Sequence, residues 1–202
     1  MKLSQGLLIA GAIVAGLGVL FVWGYRAASA PLPDGFPMPT AKGEIEIKQY
    51  PAYRAATVQV RGDLAKAPSR GFSPLFRHIS DNDISMTAPV ETRYPTATLQ
   101  AGAISEGDAA VSFLYRSVDV VPQEVSQNVQ IEDIPPMMVI SVGVRGGYGY
   151  GVYTRGVQQL QDWLTVHPEY TVVGPPRRFF YDGPFIPNGL KRSDIQIPVE
   201  RD

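Results

Sequence analysis

The chain has 202 residues, a length that suits one domain plus a short additional segment. Its formal net charge is −1 and 18% of its residues are charged, which excludes the broadly basic surface that nucleic acid or acidic lipid would require. The absence of cysteine excludes disulfides, thiolate metal sites, a cysteine nucleophile and a lipoprotein anchor, and the presence of only two histidines, His78 and His167, excludes a histidine-rich metal centre.

The first predicted element is an apolar segment near the N-terminus. Residues 6–24 form an uncharged run of 19 residues, close to the ~20 residues that cross a bilayer as a helix. Lys2 precedes the run, and Trp23 and Tyr25 stand at its far end as interfacial aromatic residues. We therefore expect residues 1–26 to form a single membrane anchor with the rest of the chain outside the cytoplasm.

A cleaved signal peptide is the alternative for the same segment, and it would make the protein secreted. Ala28-Ser29-Ala30 has the small-x-small pattern of a cleavage site. The apolar run is longer than the roughly 7–15 residues of a signal-peptide core, which favours the anchor.

A proline-rich segment follows over residues 27–41. Pro31, Pro33, Pro37 and Pro39 oppose both helix and strand pairing and favour an extended spacer. We accordingly predict a folded domain over residues 42–202.

The predicted domain contains an internal repeat. Residues 45–62 align without a gap on residues 129–146 at an offset of 84, with six identities in eighteen positions. The repeat ends in the same tripeptide, Val60-Arg61-Gly62 and Val144-Arg145-Gly146. Each copy leads into a pattern of helical period, so the duplication is predicted to include a helix in each half.

Each predicted helix has an apolar stripe. The first stripe consists of Phe72, Leu75, Phe76 and Ile79, and the second of Tyr153, Val157, Leu160 and Leu164. His78 lies roughly 120° from the first stripe on a helical wheel, which predicts a solvated position on the helix flank. His167 precedes Pro168, where it is predicted to cap a helix end or lie at the surface.

Alternating apolar residues predict strands on either side of both helices. Val111, Phe113 and Tyr115 match Ile195, Ile197 and Val199 at the same offset of 84. Each half is therefore two strands, a helix and two strands. We predict an α+β fold in which the two halves form a mostly antiparallel sheet or distorted open barrel with two packed helices, and a ligand-binding cleft between the repeats.

The motif Ile84-Ser-Met-Thr-Ala-Pro-Val90 resembles the SOUL family of haem-binding proteins. The resemblance covers about residues 43–199, and its other segments are Glu44–Tyr50, Phe72–Ile79, Val129–Asp133, Gly146–Tyr148, Pro175-Pro176 and Leu190–Ile195. It implies a duplicated fold whose groove binds haem or another tetrapyrrole.

One departure from the family concerns the iron. Some members have a histidine in the opening strand, proposed as a haem ligand, and the matching position here is Gln49. An amide is a poor iron ligand beside imidazole. The resemblance therefore implies haem binding without a clear axial ligand, and the sequence predicts no other metal site.

Six residues are candidates for ligand contact: Met86, Arg177, Arg178, Tyr181, Lys191 and Arg192. A tetrapyrrole has carboxylates that arginine can bind through two parallel hydrogen bonds. Met86 and Tyr181 suit an apolar wall, although methionine and tyrosine also fill ordinary cores. The alternative interpretation of both basic pairs, Arg177-Arg178 and Lys191-Arg192, is that they lie on a solvent-exposed face.

The leading hypothesis is thus a membrane-anchored protein that binds a tetrapyrrole or another large apolar molecule. A second hypothesis is a protein-interaction or scaffold module of the cell envelope, favoured by a filled cleft beside an exposed apolar patch. A third is a hydrolase, favoured by a buried, unpaired cleft carboxylate; its candidates are Glu44, Glu46, Glu91, Glu124, Glu132 and Asp133. No catalytic motif is present, so we predict that the protein is not an enzyme.

Overall fold

A computed structural model describes residues 30–100 and 104–202, and residues 31–202 form one compact unit. These residues contain helices α1 (Ala67–Asp81) and α2 (Tyr150–Thr165) and strands β1 (Ile45–Tyr50), β2 (Tyr53–Asp63), β3 (Val90–Arg93), β4 (Glu106–Leu114), β5 (Gln130–Ile134), β6 (Met137–Arg145), β7 (Tyr170–Val172), β8 (Arg177–Phe180) and β9 (Arg192–Arg201). The predicted anchor lies outside the described residues. Within the described part, neither helix is both long and apolar enough to cross a bilayer.

The strands form a large, open, antiparallel sheet. Their order is β1-β6-β9-β8-β3-β4-β2-β5, and the short β7 pairs with the end of β9. Both helices pack on one face of this sheet, where their buried residues belong to the same apolar cluster. The α+β class predicted from the sequence is therefore confirmed, as an open sheet with two helices.

The strand order expresses the sequence repeat. The first four strands, β1 to β4, correspond in turn to β5, β6, β8 and β9. If each strand is replaced by its counterpart, the strand order of the sheet is unchanged except that it runs in the opposite direction. The two halves meet at β3 and β8, where Val90 lies opposite Phe180 and Arg93 opposite Arg177. They also exchange strands, because β1 pairs with β6 and β5 pairs with β2. Neither half thus has a complete sheet of its own.

Two glycines set the distance between the helices and the sheet. A Cβ atom at Gly71 would lie 2.5 Å from Cβ of Val111, and one at Gly156 would overlap Cδ1 of Ile195. Such separations are far below van der Waals contact, so only glycine permits this approach. Val111 and Ile195 are themselves 84 residues apart, which extends the repeat to helix–sheet packing.

This close approach determines which face of α1 is buried. The buried residues include Gly71, Leu75, His78 and Ile79. Phe72 and Phe76 are 39% and 50% exposed, so the predicted stripe is wrong at those two positions. The prediction assumed that the large apolar rings of Phe72 and Phe76 would face the sheet. The residue of α1 that faces Val111 is instead Gly71, the smallest one. In α2 the predicted residues Tyr153, Val157 and Leu160 are buried.

Residues 31–40, which we call the strap, cross the face of the sheet opposite the helices. The sequence predicts an extended spacer here, and the segment is extended, but it packs on the domain. Leu32 and Phe36 join a cluster of buried residues from β1, β2 and β8, and Pro33 and Thr40 are buried. The prolines prevent regular strand pairing. The apolar side chains of Leu32 and Phe36 stabilise the strap on the domain, because packing there removes their apolar surface from water.

Candidate functional site

The face of the sheet under the strap, which we call the groove face, contains a buried polar network centred on Arg177. Its side chain is almost fully buried, and Nη1 donates to the Tyr53 hydroxyl (2.9 Å) and to Oε1 of the buried Glu91 (3.2 Å). Nε donates to Oε1 of Gln196 (2.9 Å), whose amide donates to the Tyr50 hydroxyl (2.8 Å). Burial raises the pKa of Tyr50 to about 12, which keeps this hydroxyl protonated.

A second buried cluster on the same face surrounds Asp194. Its carboxylate accepts hydrogen bonds from Lys48 Nζ (3.1 Å), from the Tyr181 hydroxyl (3.0 Å) and from the backbone amide of Thr40 in the strap (3.1 Å). Burial raises the pKa of Tyr181 well above its ordinary value, and the neighbouring Asp194 raises it further. Tyr181 therefore acts here as a neutral donor within the protein.

The strap covers these two clusters. The ring of Phe36 lies 5.0 Å from that of Tyr50, 5.3 Å from Tyr53 and 6.3 Å from Phe179, between ring centroids. At the end of the strap the Thr40 hydroxyl is 2.9 Å from Ser141 Oγ. The groove face is thus occupied by the chain's own residues.

Arg178 extends to the other face of the sheet, because successive strand residues alternate. Its side chain is buried, and it donates to Ser193 Oγ (3.0 Å) and to the carbonyls of Tyr148 (3.1 Å) and Gly149 (3.2 Å) at the start of α2. The guanidinium lies 4.8 Å from the Phe180 ring. Arg178 therefore fixes the turn into α2.

The remaining candidates also lie apart from Arg177. Arg192 forms an ion pair with Asp182 at 2.7 Å, and Met86 is partly buried against the core on the helix side. Lys191 Nζ lies 5.1 Å above the Tyr148 ring. The structure thus does not bring the six candidates together in one cleft: Arg177 and Tyr181 are on the groove face, and Arg178 and Met86 are on the helix side.

An exposed aromatic pair lies on the helix side and was missed in the sequence. The Phe72 and Phe76 rings stack at 5.8 Å with an interplanar angle of 12°, and Phe72 meets the Phe113 ring edge-on at 5.1 Å. Phe113, Val90 and Phe180 lie opposite one another on β4, β3 and β8. We call these five residues the helix-side aromatic surface; Phe72 and Phe76 are its exposed rings, and Phe113 and Phe180 are the buried rings beside them. The signal in the sequence is Gly71, since a glycine on the buried face leaves the neighbouring phenylalanines outside.

His78 lies in the core beneath α1, so the predicted solvated position is wrong. It is 1% exposed, and Nε2 is 2.7 Å from the Tyr115 hydroxyl. The amide of Asn82 approaches Nδ1 at 3.4 Å. Nε2 is therefore occupied within the protein, and burial lowers the pKa of His78 below its ordinary value of 6.5.

This pKa shift predicts a stability that depends on pH. The unfolded chain protonates His78 near pH 6.5 while the folded protein resists protonation, so the contribution is complete above pH 6.5 and falls as the pH drops toward the lower folded-state pKa. We expect the free energy of unfolding to fall with a His78-dependent slope of up to about 1.4 kcal/mol per pH unit. Urea unfolding between pH 7.5 and 5.5 measures the slope. His78→Gln should lose this component and His167→Gln should keep it; equal slopes in both variants would contradict the assignment.

Comparison with known families identifies the chain. Its sequence matches the SOUL heme-binding protein family over residues 36–198, which is most of its length. The protein belongs to this family. No curated protein matches the sequence.

Solved structures with the same fold come from proteins of several descriptions. The C-terminal domain of EcmrR is 17% identical with a TM-score of 0.62, covering 79% of this chain and 98% of that domain. EcmrR in its complex with DNA is 14% identical with a TM-score of 0.64, covering 98% of this chain and 69% of that one. A hydrolase from Listeria innocua is 12% identical with a TM-score of 0.56, covering 80% and 94%. Identities this low establish a shared fold only.

Membership of the SOUL family raises the question of how the described residues suit haem. The helix-side aromatic surface offers two exposed flat rings, Phe72 and Phe76, of the kind a porphyrin covers. The two histidines are less suitable as iron ligands. His78 is buried, and His167 follows the C-terminal end of α2 and is not among the five residues of this surface. Its Nδ1 bonds the Trp163 carbonyl (2.8 Å) and its ring stacks on the indole at 3.6 Å, which confirms its predicted role at a helix end. The described residues contain no cluster of metal-ligating side chains. They therefore fit haem as a flat apolar ligand, and neither histidine is among the residues of this surface.

Proposed function

We propose that this SOUL-family protein binds haem or another large, flat, apolar ligand on the helix-side aromatic surface. The observation that carries the proposal is the stacked pair Phe72 and Phe76, both substantially exposed and continuous with Phe113. Exposed apolar patches of this kind mark binding sites more often than isolated exposed residues do. Covering the rings would contribute roughly 25 cal/mol per Å² of apolar area removed from water.

Carboxylates on the ligand would require a cation at the edge of this surface. Arg177 and Arg178 are buried and bonded within the protein, so they do not serve this purpose. Lys191 is partly exposed above Tyr148, whose ring packs edge-on against Phe180 at 4.8 Å. Lys191 is therefore the cation that we assign to a ligand carboxylate.

We also propose that residues 1–26 anchor the protein in a membrane, with the binding domain outside the cytoplasm. The support is the uncharged apolar run of residues 6–24.

Haem titration of the purified protein, followed by the Soret absorbance, tests the proposed function. We expect saturable binding, and we expect His167→Ala to leave both the spectrum and the affinity within a few-fold of wild type, because His167 follows the C-terminal end of α2 and is not among the residues of the helix-side aromatic surface. The absence of saturable binding would remove haem as the ligand. A Soret shift in His167→Ala would instead show that this imidazole binds the iron.

A protein-interaction role is the second candidate, because the groove is filled by the strap and an exposed apolar pair lies on the other face. A protein partner would bury the same Phe72 and Phe76 rings. The hydrolase hypothesis gains no support from Glu91 or Asp194, since these buried carboxylates pair with Arg177 and Lys48. That the protein is not an enzyme remains a prediction.

A further inference from the structure

We propose that the groove face contains a second ligand site, distinct from the helix-side aromatic surface. In the described structure the side chain of Phe36 in the strap fills this site. The ligand class is an aromatic ring that carries a carbonyl or carboxylate oxygen. Tyr50, Tyr53 and Phe179, which we call the aromatic cage, would hold the ring. Arg177 would bind the oxygen.

The packing of Phe36 shows what the cage accepts. Its ring meets Tyr50 and Tyr53 edge-on, with interplanar angles of 72° and 83°, and lies nearly parallel to Phe179 at 19°. Edge-to-face and offset-stacked contacts at these distances are the preferred arrangements of aromatic pairs. The cage is thus shaped around a flat ring, and a ligand ring would find the same three contacts.

Arg177 supplies the preference for an oxygen acceptor. Its guanidinium lies 4.9 Å from the Tyr50 ring and 4.5 Å from the Phe179 ring, two of the rings that contact Phe36. Its Nε and Nη1 atoms have acceptors, but buried Nη2 has none among the described residues. A buried guanidinium nitrogen without an acceptor is rare in folded proteins, and a ligand oxygen would complete the set.

The strap allows Phe36 to leave the cage without detaching at either end. Before Phe36, the Asp34 amide donates to the Arg116 carbonyl (2.9 Å); after it, the Met38 carbonyl accepts from Lys48 (2.6 Å). Between these points the Phe36 amide bonds Pro33 within the strap, and Pro37 has no amide hydrogen. Gly35, with φ of +75°, supplies the turn that positions the ring. Movement of three residues would therefore open the site.

A reversible lock on the strap tests the proposal. A Cβ atom at Gly35 would lie 3.9 Å from Cβ of Pro51, which is within the range for a disulfide. The native chain has no cysteine, so Gly35→Cys with Pro51→Cys would form one defined bond. A cysteine at position 35 strains the backbone because φ is positive there. This strain is present in both the oxidised and the reduced forms, so the reduced form is the control for it. The experiment uses the full chain.

The probe is 2-naphthoate, whose binding is followed by its fluorescence. We expect the oxidised variant to bind at least about tenfold more weakly than the reduced variant, and Phe36→Ala to bind about tenfold more tightly than wild type, which corresponds to about 1.4 kcal/mol. In Phe36→Ala, 2-methylnaphthalene should bind more weakly than 2-naphthoate and 2-naphthamide, because it offers no acceptor to Nη2. If Phe36→Ala does not fold, the oxidised and reduced pair still gives the result.

Two outcomes would overturn the second site. Equal affinity of the oxidised and reduced forms would show that the strap does not control binding, and equal binding of 2-methylnaphthalene would remove the role of Arg177. Phe72→Ser with Phe76→Ser separates this site from the proposed function, since it should leave strap-dependent binding unchanged. The probe could instead bind the helix-side aromatic surface. Binding would then be lost in the Phe72→Ser, Phe76→Ser variant and would not depend on the disulfide, and this result would also overturn the second site.

Discussion

Replacing Arg177 with methionine should destabilise the domain by about 3–5 kcal/mol, because it leaves the Glu91 carboxylate buried without its cation. Glu91 is fully buried, and its other hydrogen bond is a long one from the Tyr53 hydroxyl at 3.3 Å. Arg93 also interacts with this carboxylate electrostatically, but its ion pair is formed with Glu132. Replacing both partners, as Glu91→Leu with Arg177→Met, should recover a large part of the loss, since no isolated charge remains. Urea unfolding of the two single variants and the double variant measures the coupling.

The matched control is the exposed pair Arg61–Asp108, with the same kind of contact at 2.9 Å and side chains that are 88% and 60% exposed. Arg61→Met should cost less than about 1 kcal/mol, because solvent screens the pair. A loss at Arg177 as small as that at Arg61 would show that water reaches the groove face, which would contradict the described burial.

Gly71→Ala should destabilise the domain by about 2–3 kcal/mol, although alanine favours a helix more than glycine does. The added Cβ would lie within 2.8 Å of three side-chain atoms of Val111, and a β-branched strand residue has little freedom to move away. Helix α1 would have to shift from the sheet. Urea unfolding again measures the change.

Gly151→Ala is the control for this prediction. Gly151 lies in the first turn of α2, and the nearest atom to its added Cβ is the flexible end of Arg155 at 3.7 Å. We expect this substitution to be neutral or to stabilise by up to about 1 kcal/mol through helix propensity. If Gly71→Ala is equally well tolerated, the close packing of α1 on Val111 does not limit stability.

The repeat and the family could be predicted from the sequence because both rest on order along the chain. The offset of 84 at Val60-Arg61-Gly62 reappears as the symmetry of the sheet, and the motif at Met86 belongs to the SOUL match. Alternation along β8 also implies that Arg177 and Arg178 point to opposite faces. That conclusion required knowing that these residues form a strand, which the apolar pattern alone did not indicate.

The candidate site was harder to predict because it depends on contacts between distant segments. Arg177 is neutralised by a residue 86 positions away, and the strap meets Asp194 across 154 positions. The helical wheel of α1 gave the wrong phase because the burial of His78 depends on Tyr115, a neighbour outside the helix. Local patterns do not contain such pairings.

The most direct test of the central claim is haem titration of the Phe72→Ser, Phe76→Ser variant against wild type. Val172→Ser with Val173→Ser is the matched control, since those side chains are 40% and 50% exposed, nearly the same as the phenylalanine pair. Circular dichroism confirms that each variant remains folded. If the ligand lies on the helix-side aromatic surface, the phenylalanine variant should lose about tenfold or more in affinity, equivalent to at least about 1.4 kcal/mol, while the valine variant stays within about twofold of wild type. Unchanged affinity in the phenylalanine variant, or an equal loss in the valine variant, would contradict a haem site on this surface.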